Sequence, residues 1–105
     1  MAFKVHKVTK YNYSYSANTG RPSRLQLWGA SGNIAQIRFV DDAAAVPAPV
    51  ISADLNKATA YFKDKSQQGI IDMLRNEDPV SVTINNGGAG FVFIHTGIEP
   101  VGEGE

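Results

Sequence analysis

Basic side chains, the single tryptophan and three alternating tyrosines occur together in the first 40 residues of the chain. This combination is typical of proteins that bind single-stranded nucleic acid, because Lys and Arg attract phosphates while an exposed ring stacks on a base. If the leucines of the strand at 24–28 point into the core, the residues between them point to solvent. The predicted ligand-binding residues are Lys4, Lys10, Arg24, Trp28 and Arg38.

The same aromatic residues also have a structural interpretation. Large aromatic side chains are buried on average, so Trp28 could instead fold beneath the segment 41–49. An apolar strand face is usually the buried one, and we therefore expect the tyrosines to form a wall of the core, with His6 on the solvent side. The odd positions predicted to face inward include Phe3, Val5, Tyr11, Tyr13 and Tyr15.

The sequence contains few residues in patterns typical of catalytic or metal-binding sites. His6 and His95 lie in the first and last predicted strands and could begin a metal site, but a metal needs further ligands that no spaced cluster supplies. The adjacent carboxylates Asp41 and Asp42 could hold Mg²⁺, although a solvated strand end is the commoner use of such a pair. The glycines at 29–32 do not match a nucleophile elbow. We therefore expect no metal, no cofactor and no enzymatic activity.

Composition predicts one soluble globular domain. A chain of 105 residues with 43% apolar residues can bury a core of its own without disulfides. It has no cysteine, which excludes disulfide frameworks and thiol chemistry and is compatible with a cytoplasmic location. No stretch approaches the roughly 20 apolar residues of a membrane span, and the N-terminus does not resemble a signal peptide.

Charge is distributed unevenly although the net charge is zero. Residues 1–40 contain six Lys or Arg and no acid, whereas residues 41–105 contain four Lys or Arg and all ten acids. The two halves therefore carry +6 and −6. This asymmetry predicts either a basic surface that faces a ligand or two halves that intermix in space and cancel.

The first 40 residues alternate with the period of two that is typical of β-strands. Residues 2–16 would make an unusually long strand, so a bulge or bend is expected near Lys7 to Thr9. Residues 17–23 have turn chemistry, and strands follow at Arg24 to Trp28 and Ile34 to Val40. These segments predict an antiparallel meander.

The rest of the chain predicts a helix followed by a hairpin. Prolines at 47 and 49 favour an extended connector, and residues 50–62 fit either a strand interrupted by a tight turn near Asn56 and Lys57 or a helix from Ser52. A helix is expected over about 64–76. The sequence Asn-Asn-Gly-Gly at 85–88 then predicts a hairpin turn.

The last predicted strand, from Gly90 to Thr96, is apolar on both faces. A single short helix cannot cover a whole sheet face, so part of this strand would remain exposed as an interface between subunits. Val92 and Ile94 are the predicted interface residues, and a homodimer or higher oligomer is the predicted partner.

These observations predict an α+β fold: a strongly bent antiparallel sheet or small open barrel of five to six strands, with one helix before a C-terminal hairpin. One domain would cover 1–98, and 99–105 would form a disordered acidic tail. The predicted function is a non-enzymatic binding or assembly module, homo-oligomeric, that presents a basic outer sheet face. Single-stranded nucleic-acid binding is the alternative, and a small enzyme or metal protein around the two histidines is the third.

Overall fold

The computed structural model describes residues 2–15 and 23–96. They form an α+β fold in which the helix precedes the C-terminal hairpin, so the predicted class is confirmed. The described chain has eight strands rather than five or six, in two sheets that are not closed into a barrel. The predicted tail at 99–105 and most of the predicted turn at 17–23 lie outside the described residues. The elements are β1 (Phe3–Lys7), β2 (Lys10–Ser14), β3 (Arg24–Gly29), β4 (Gly32–Val40), β5 (Val50–Ile51), β6 (Ala58–Lys63), α1 (Gln67–Asn76), β7 (Val80–Asn85) and β8 (Phe91–Thr96).

The long first strand bends where the sequence predicts it. β1 ends at Lys7 and β2 begins at Lys10, and the two residues between them pair with different sheets. The Val8 N–H donates to the carbonyl of Val80 at 2.8 Å, and the Thr9 N–H donates to the carbonyl of Trp28 at 2.8 Å. The chain therefore passes from one sheet into the other at Val8 and Thr9, which we call the sheet switch.

The first sheet has the order β1-β7-β8, with all neighbours antiparallel. Its register places Lys4 opposite Ile84 and His6 opposite Val82, and both β7 residues are fully buried. The prediction that Phe3 and Val5 face the core is therefore wrong: they are 62% and 54% exposed. The prediction that His6 faces solvent is also wrong, because His6 lies on the side of β1 that faces the core, opposite the buried Val82. An alternating pattern defines two faces but pairing decides which one is buried.

The second sheet has the order β2-β3-β4-β6-β5. Its antiparallel β2-β3-β4 meander confirms the prediction for the N-terminal strands. β6 runs parallel to β4, so the second sheet is mixed and not wholly antiparallel as predicted. The segment between Val40 and Ala58 crosses over and returns the chain in its original direction, as a parallel pair requires.

Residues 50–62 form two short strands around a tight turn, and the alternative of a helix from Ser52 is wrong. Leu55 adopts the left-handed region in this turn, with φ of 63°. Asp54 stabilises the turn by accepting hydrogen bonds from the Ser52 hydroxyl at 2.7 Å and the Asn56 N–H at 3.0 Å. These two bonds, the hydroxyl first, lower the pKa of Asp54.

The helix α1 covers the inner side of the second sheet. A 3₁₀ turn at Asp64–Ser66 leads directly into it, in agreement with the predicted range of about 64–76. Ile70 is buried in the core and Leu74 packs against it. At 10 residues α1 is too short to span a bilayer, and the described ranges contain no longer apolar helix.

The core lies between the two sheets and α1. Val92 and Ile94 pack against it in part, from the inner face of β8. Its largest fully buried side chains come from β3, β4 and β7: Leu25, Leu27, Ile34, Ile37, Phe39, Val82 and Ile84.

Gly29 is expected to be essential to the sheet switch. A Cβ atom at this position would lie 2.8 Å from the Lys7 carbonyl oxygen, so Gly29→Ala forces the backbone apart and should destabilise the fold by about 1–3 kcal/mol. Gly69→Ala is the matched control, because its Cβ meets nothing within 4 Å and alanine favours helix by up to about 1 kcal/mol. Urea unfolding measures both. Equal stability of the two variants would contradict the close approach at Gly29.

Candidate nucleic-acid interface

The outer face of the second sheet is built from polar and basic residues that alternate with buried leucine, isoleucine and phenylalanine. The register aligns them in rows across the strands. We call this surface the basic face. Its rows are Lys10 and Trp28; Asn12, Gln26, Gln36, Thr59 and Val50; Ser14, Arg24, Arg38 and Tyr61; and Val40 with Lys63.

Trp28 lies half-buried at one end of the basic face. The Lys10 ammonium lies 5.8 Å from the centre of its ring, within the range of a cation–π contact. A lysine above a partly accessible ring gives one spot both a positive charge and a stacking surface.

Two arginines occupy opposed positions in the third row of the basic face. Arg24 and Arg38 are directly opposite on β3 and β4. Like charges at opposed positions repel, so this pair destabilises the sheet unless an anion lies between them. Arg24 is exposed and Arg38 is half-buried, and the buried Arg38 Nε atom has no hydrogen-bond partner among the described residues.

The charged residues of the basic face are all cations. Its described strand residues include no aspartate or glutamate. Lys63 donates to the backbone carbonyl of Asp42 at 3.0 Å, which keeps its charge at the rim of the face. The Gln36 Nε2 atom is also buried without a partner among the described residues, so the centre of the face has an unused donor.

Four of the five predicted ligand-binding residues share this face: Lys10, Arg24, Trp28 and Arg38. Lys4 does not, because it belongs to the first sheet and donates to the Asn56 side chain at 3.1 Å. Sequence reasoning did not include the amide side chains of the face, although they follow the same alternation. Tyr61 and Lys63 could not be found locally, because the parallel pairing of β6 with β4 brings them there.

Tyr11 and Tyr13 lie on the opposite side of β2 from the basic face, and Tyr15 directly follows the strand. Tyr13 packs against the core, and its hydroxyl donates to the side-chain oxygen of Gln67 on α1. Its ring meets the buried ring of Phe39 edge-on, with centres 6.4 Å apart. Tyr11 and Tyr15 are 37% and 81% exposed, so only Tyr13 acts as the expected wall.

The histidines are not brought together. His6 lies on the inner face of the first sheet, where Nε2 is 2.9 Å from the carbonyl of Leu55, whereas His95 lies on the outer face, with Nε2 2.8 Å from the Thr83 hydroxyl. The described residues contain no group of three or more His, Asp or Glu able to hold a metal ion. Asp41 and Asp42 instead accept backbone N–H bonds from Ala43 and Lys65, both at 2.8 Å.

A cleft of about 410 Å³ opens beside the sheet switch. This volume is within the usual range for small-molecule sites. The cleft lies between the start of β2 and the end of α1, and its lining is mixed: Val8, Thr9, Lys10, Tyr11, Leu74, Glu77, Asp78 and Val80.

In comparisons with known proteins, no protein-family model, curated protein or solved structure matches the chain.

Tyr13→Phe should lower the free energy of unfolding by about 1 kcal/mol, because it removes the hydroxyl that bonds Gln67. Tyr15→Phe is the matched control and should change it by less than about 0.5 kcal/mol, because this side chain is 81% exposed. Urea unfolding followed by Trp28 fluorescence measures both. A similar loss in the two variants would show that the Tyr13 hydroxyl does not hold the helix to the sheet.

The stability difference between the wild type and Tyr13→Phe should also depend on pH. Burial is the largest cause that raises the pKa of Tyr13, and a hydrogen bond with Ser23 opposes it. The folded state therefore favours the protonated hydroxyl, so this contribution is complete below the ordinary pKa of 10.0 and is lost as the pH rises through the folded-state pKa. Unfolding from about pH 8 to about pH 11 should show the difference shrinking. A difference that grows with pH would contradict the burial.

Proposed function

We propose that this protein is a non-catalytic binding module whose basic face binds single-stranded nucleic acid. One observation carries the proposal: Arg24 and Arg38 stand directly opposite each other on a sheet face whose described strand residues include no carboxylate. Such a pair is stabilised by an anion between the two guanidinium groups. Phosphate fits this role, since its oxygens accept several charged hydrogen bonds at once.

Aromatic and amide side chains favour a nucleic acid over a simple anion. Trp28 and Tyr61 lie at two positions along the face, and Lys10 adds charge beside Trp28. Bases stack on such rings, while Asn and Gln side chains can bond base edges. The row of Asn12, Gln26 and Gln36 lies between the aromatic positions, where the bases of a strand laid across the sheet would pass.

A single strand fits this surface better than a duplex. The basic face is a sheet surface, and single-strand binders with sheet surfaces expose unstacked bases to aromatic residues. Duplex readers insert a helix or a two-stranded ribbon into a groove. We also propose a cytoplasmic location, on the basis of the cysteine-free composition.

Titration with an oligothymidylate of about 15 nucleotides tests the proposal, with Trp28 fluorescence as the readout. The emission should be quenched on binding, and the affinity should fall steeply between about 50 mM and about 500 mM salt. Arg24→Gln and Arg38→Gln should each weaken binding by about tenfold. Each should also reduce the slope of log affinity against log salt by about 0.7.

Arg75→Gln is the matched control. Arg75 is exposed, and it belongs to α1, which covers the side of the second sheet opposite the basic face. It removes the same charge and should leave both the affinity and the slope unchanged. Equal weakening by all three variants would mean that net charge alone drives binding. An inorganic polyphosphate that quenches Trp28 as well as the oligonucleotide does would contradict base stacking, and absence of any quenching would contradict the proposal.

A further inference from the structure

The outer face of the first sheet is apolar and exposed, and we call it the apolar face. β1 contributes Phe3 and Val5, which are 62% and 54% exposed, and β8 contributes Phe91 and Phe93, which are 51% and 56% exposed. The register aligns them across β7, with Phe3 and Phe91 flanking Asn85 and with Val5 and Phe93 flanking Thr83. The Phe91 and Phe93 rings are nearly parallel, at 12°, with centres 6.1 Å apart.

The exposed area of this face is in the range of functional patches. A buried aromatic residue covers roughly 150–250 Å², so the exposed parts of these four side chains amount to on the order of 400 Å². The largest apolar patch on a typical monomer is of this size and is often functional. Two such faces in contact would bury roughly 800 Å² from these side chains, and their surroundings would bring the total towards the roughly 1,200 Å² of a specific interface.

Two polar side chains within the apolar face already have hydrogen-bond partners in the first sheet. Thr83 bonds His95 at 2.8 Å, and the Asn85 side-chain oxygen accepts the Gly87 N–H at 2.7 Å. Burial of this face against another apolar surface therefore leaves the Thr83 hydroxyl and the Asn85 side-chain oxygen hydrogen-bonded, which lowers the cost of the contact. The face also carries no acid, and Lys7 lies at its end, in the row of Ser81 and His95.

We infer that a second copy of this chain packs on the apolar face, sheet against sheet. A two-fold axis brings the same patch of each subunit together, and a face with few charges is not repelled by its own copy. The basic face cannot serve in this way, since its cations would oppose each other. The contact is small, so the dimer should be weak and should form at micromolar concentrations or above. The inference concerns the other sheet and does not depend on nucleic-acid binding.

Two valines provide a matched test. Val5 lies on β1 in the apolar face and is 54% exposed, whereas Val50 lies on β5 of the second sheet and is 65% exposed. Val5→Asp places a charge in the proposed interface, and Val50→Asp places the same charge outside it. Sedimentation equilibrium of the whole chain should show the wild type and Val50→Asp moving towards twice the 11.3 kDa monomer mass with rising concentration. Val5→Asp should dimerise at least tenfold more weakly.

Phe93→Thr is the second variant, because threonine preserves the strand propensity of β8 and removes the exposed ring. It should also weaken the dimer at least tenfold while Trp28 emission stays unchanged. A wild type that remains 11.3 kDa up to about 0.5 mM would overturn the inference. Equal weakening by Val5→Asp and Val50→Asp would also overturn it. So would dissociation by Phe93→Thr alone, since that result means pairing along the β8 edge.

Discussion

The sheet switch at Val8 and Thr9 decides which side of the molecule carries which chemistry. One residue gives its N–H to β7 and the next gives its N–H to β3, so a single segment belongs to both sheets. The chain can make this change because Gly29 has no side chain where the Lys7 carbonyl passes. The switch also exchanges the inward positions: even residues face the core in β1 and odd residues face it in β2. A strand without this bend would keep one parity throughout.

Both exposed faces follow from that exchange. In β1 it leaves Phe3 and Val5 outside, next to the β8 phenylalanines, which produces the apolar face. In β2 it turns Tyr13 inward onto Phe39 and leaves Lys10 outside beside Trp28. The core then consists largely of aliphatic residues from β3, β4 and β7, closed by α1. The two sheets therefore share one core and expose outer faces of different chemistry.

Local patterns in the sequence were sufficient for much of this arrangement. Alternation with Leu25, Leu27 and Ile37 placed Arg24, Trp28 and Arg38 on one side, because the period of two holds within a paired strand. The inward side of β1 could not be read in this way, because Phe3 and Val5 form the apolar half of an alternation that is nonetheless exposed. That side depends on pairing with β7, more than 70 residues away. The contribution of Tyr61 depends on a parallel crossover, which has no local signature.

A chain with zero net charge can present a basic face because the described aspartates act elsewhere. The described aspartates mainly stabilise turns and helix ends through local hydrogen bonds. Asp41 and Asp54 accept backbone N–H groups two residues ahead, Asp42 accepts the N–H of Lys65, and Asp64 and Asp72 accept side-chain amides of the helix. Hydrogen bonds of this kind stabilise the ionised carboxylate, which is why the pKa of Asp54 is lowered. The negative charge therefore stays at the turn. The described strand residues of the basic face therefore include cations and no acid, and the opposed Arg24 and Arg38 give it a positive charge that an anionic ligand can neutralise.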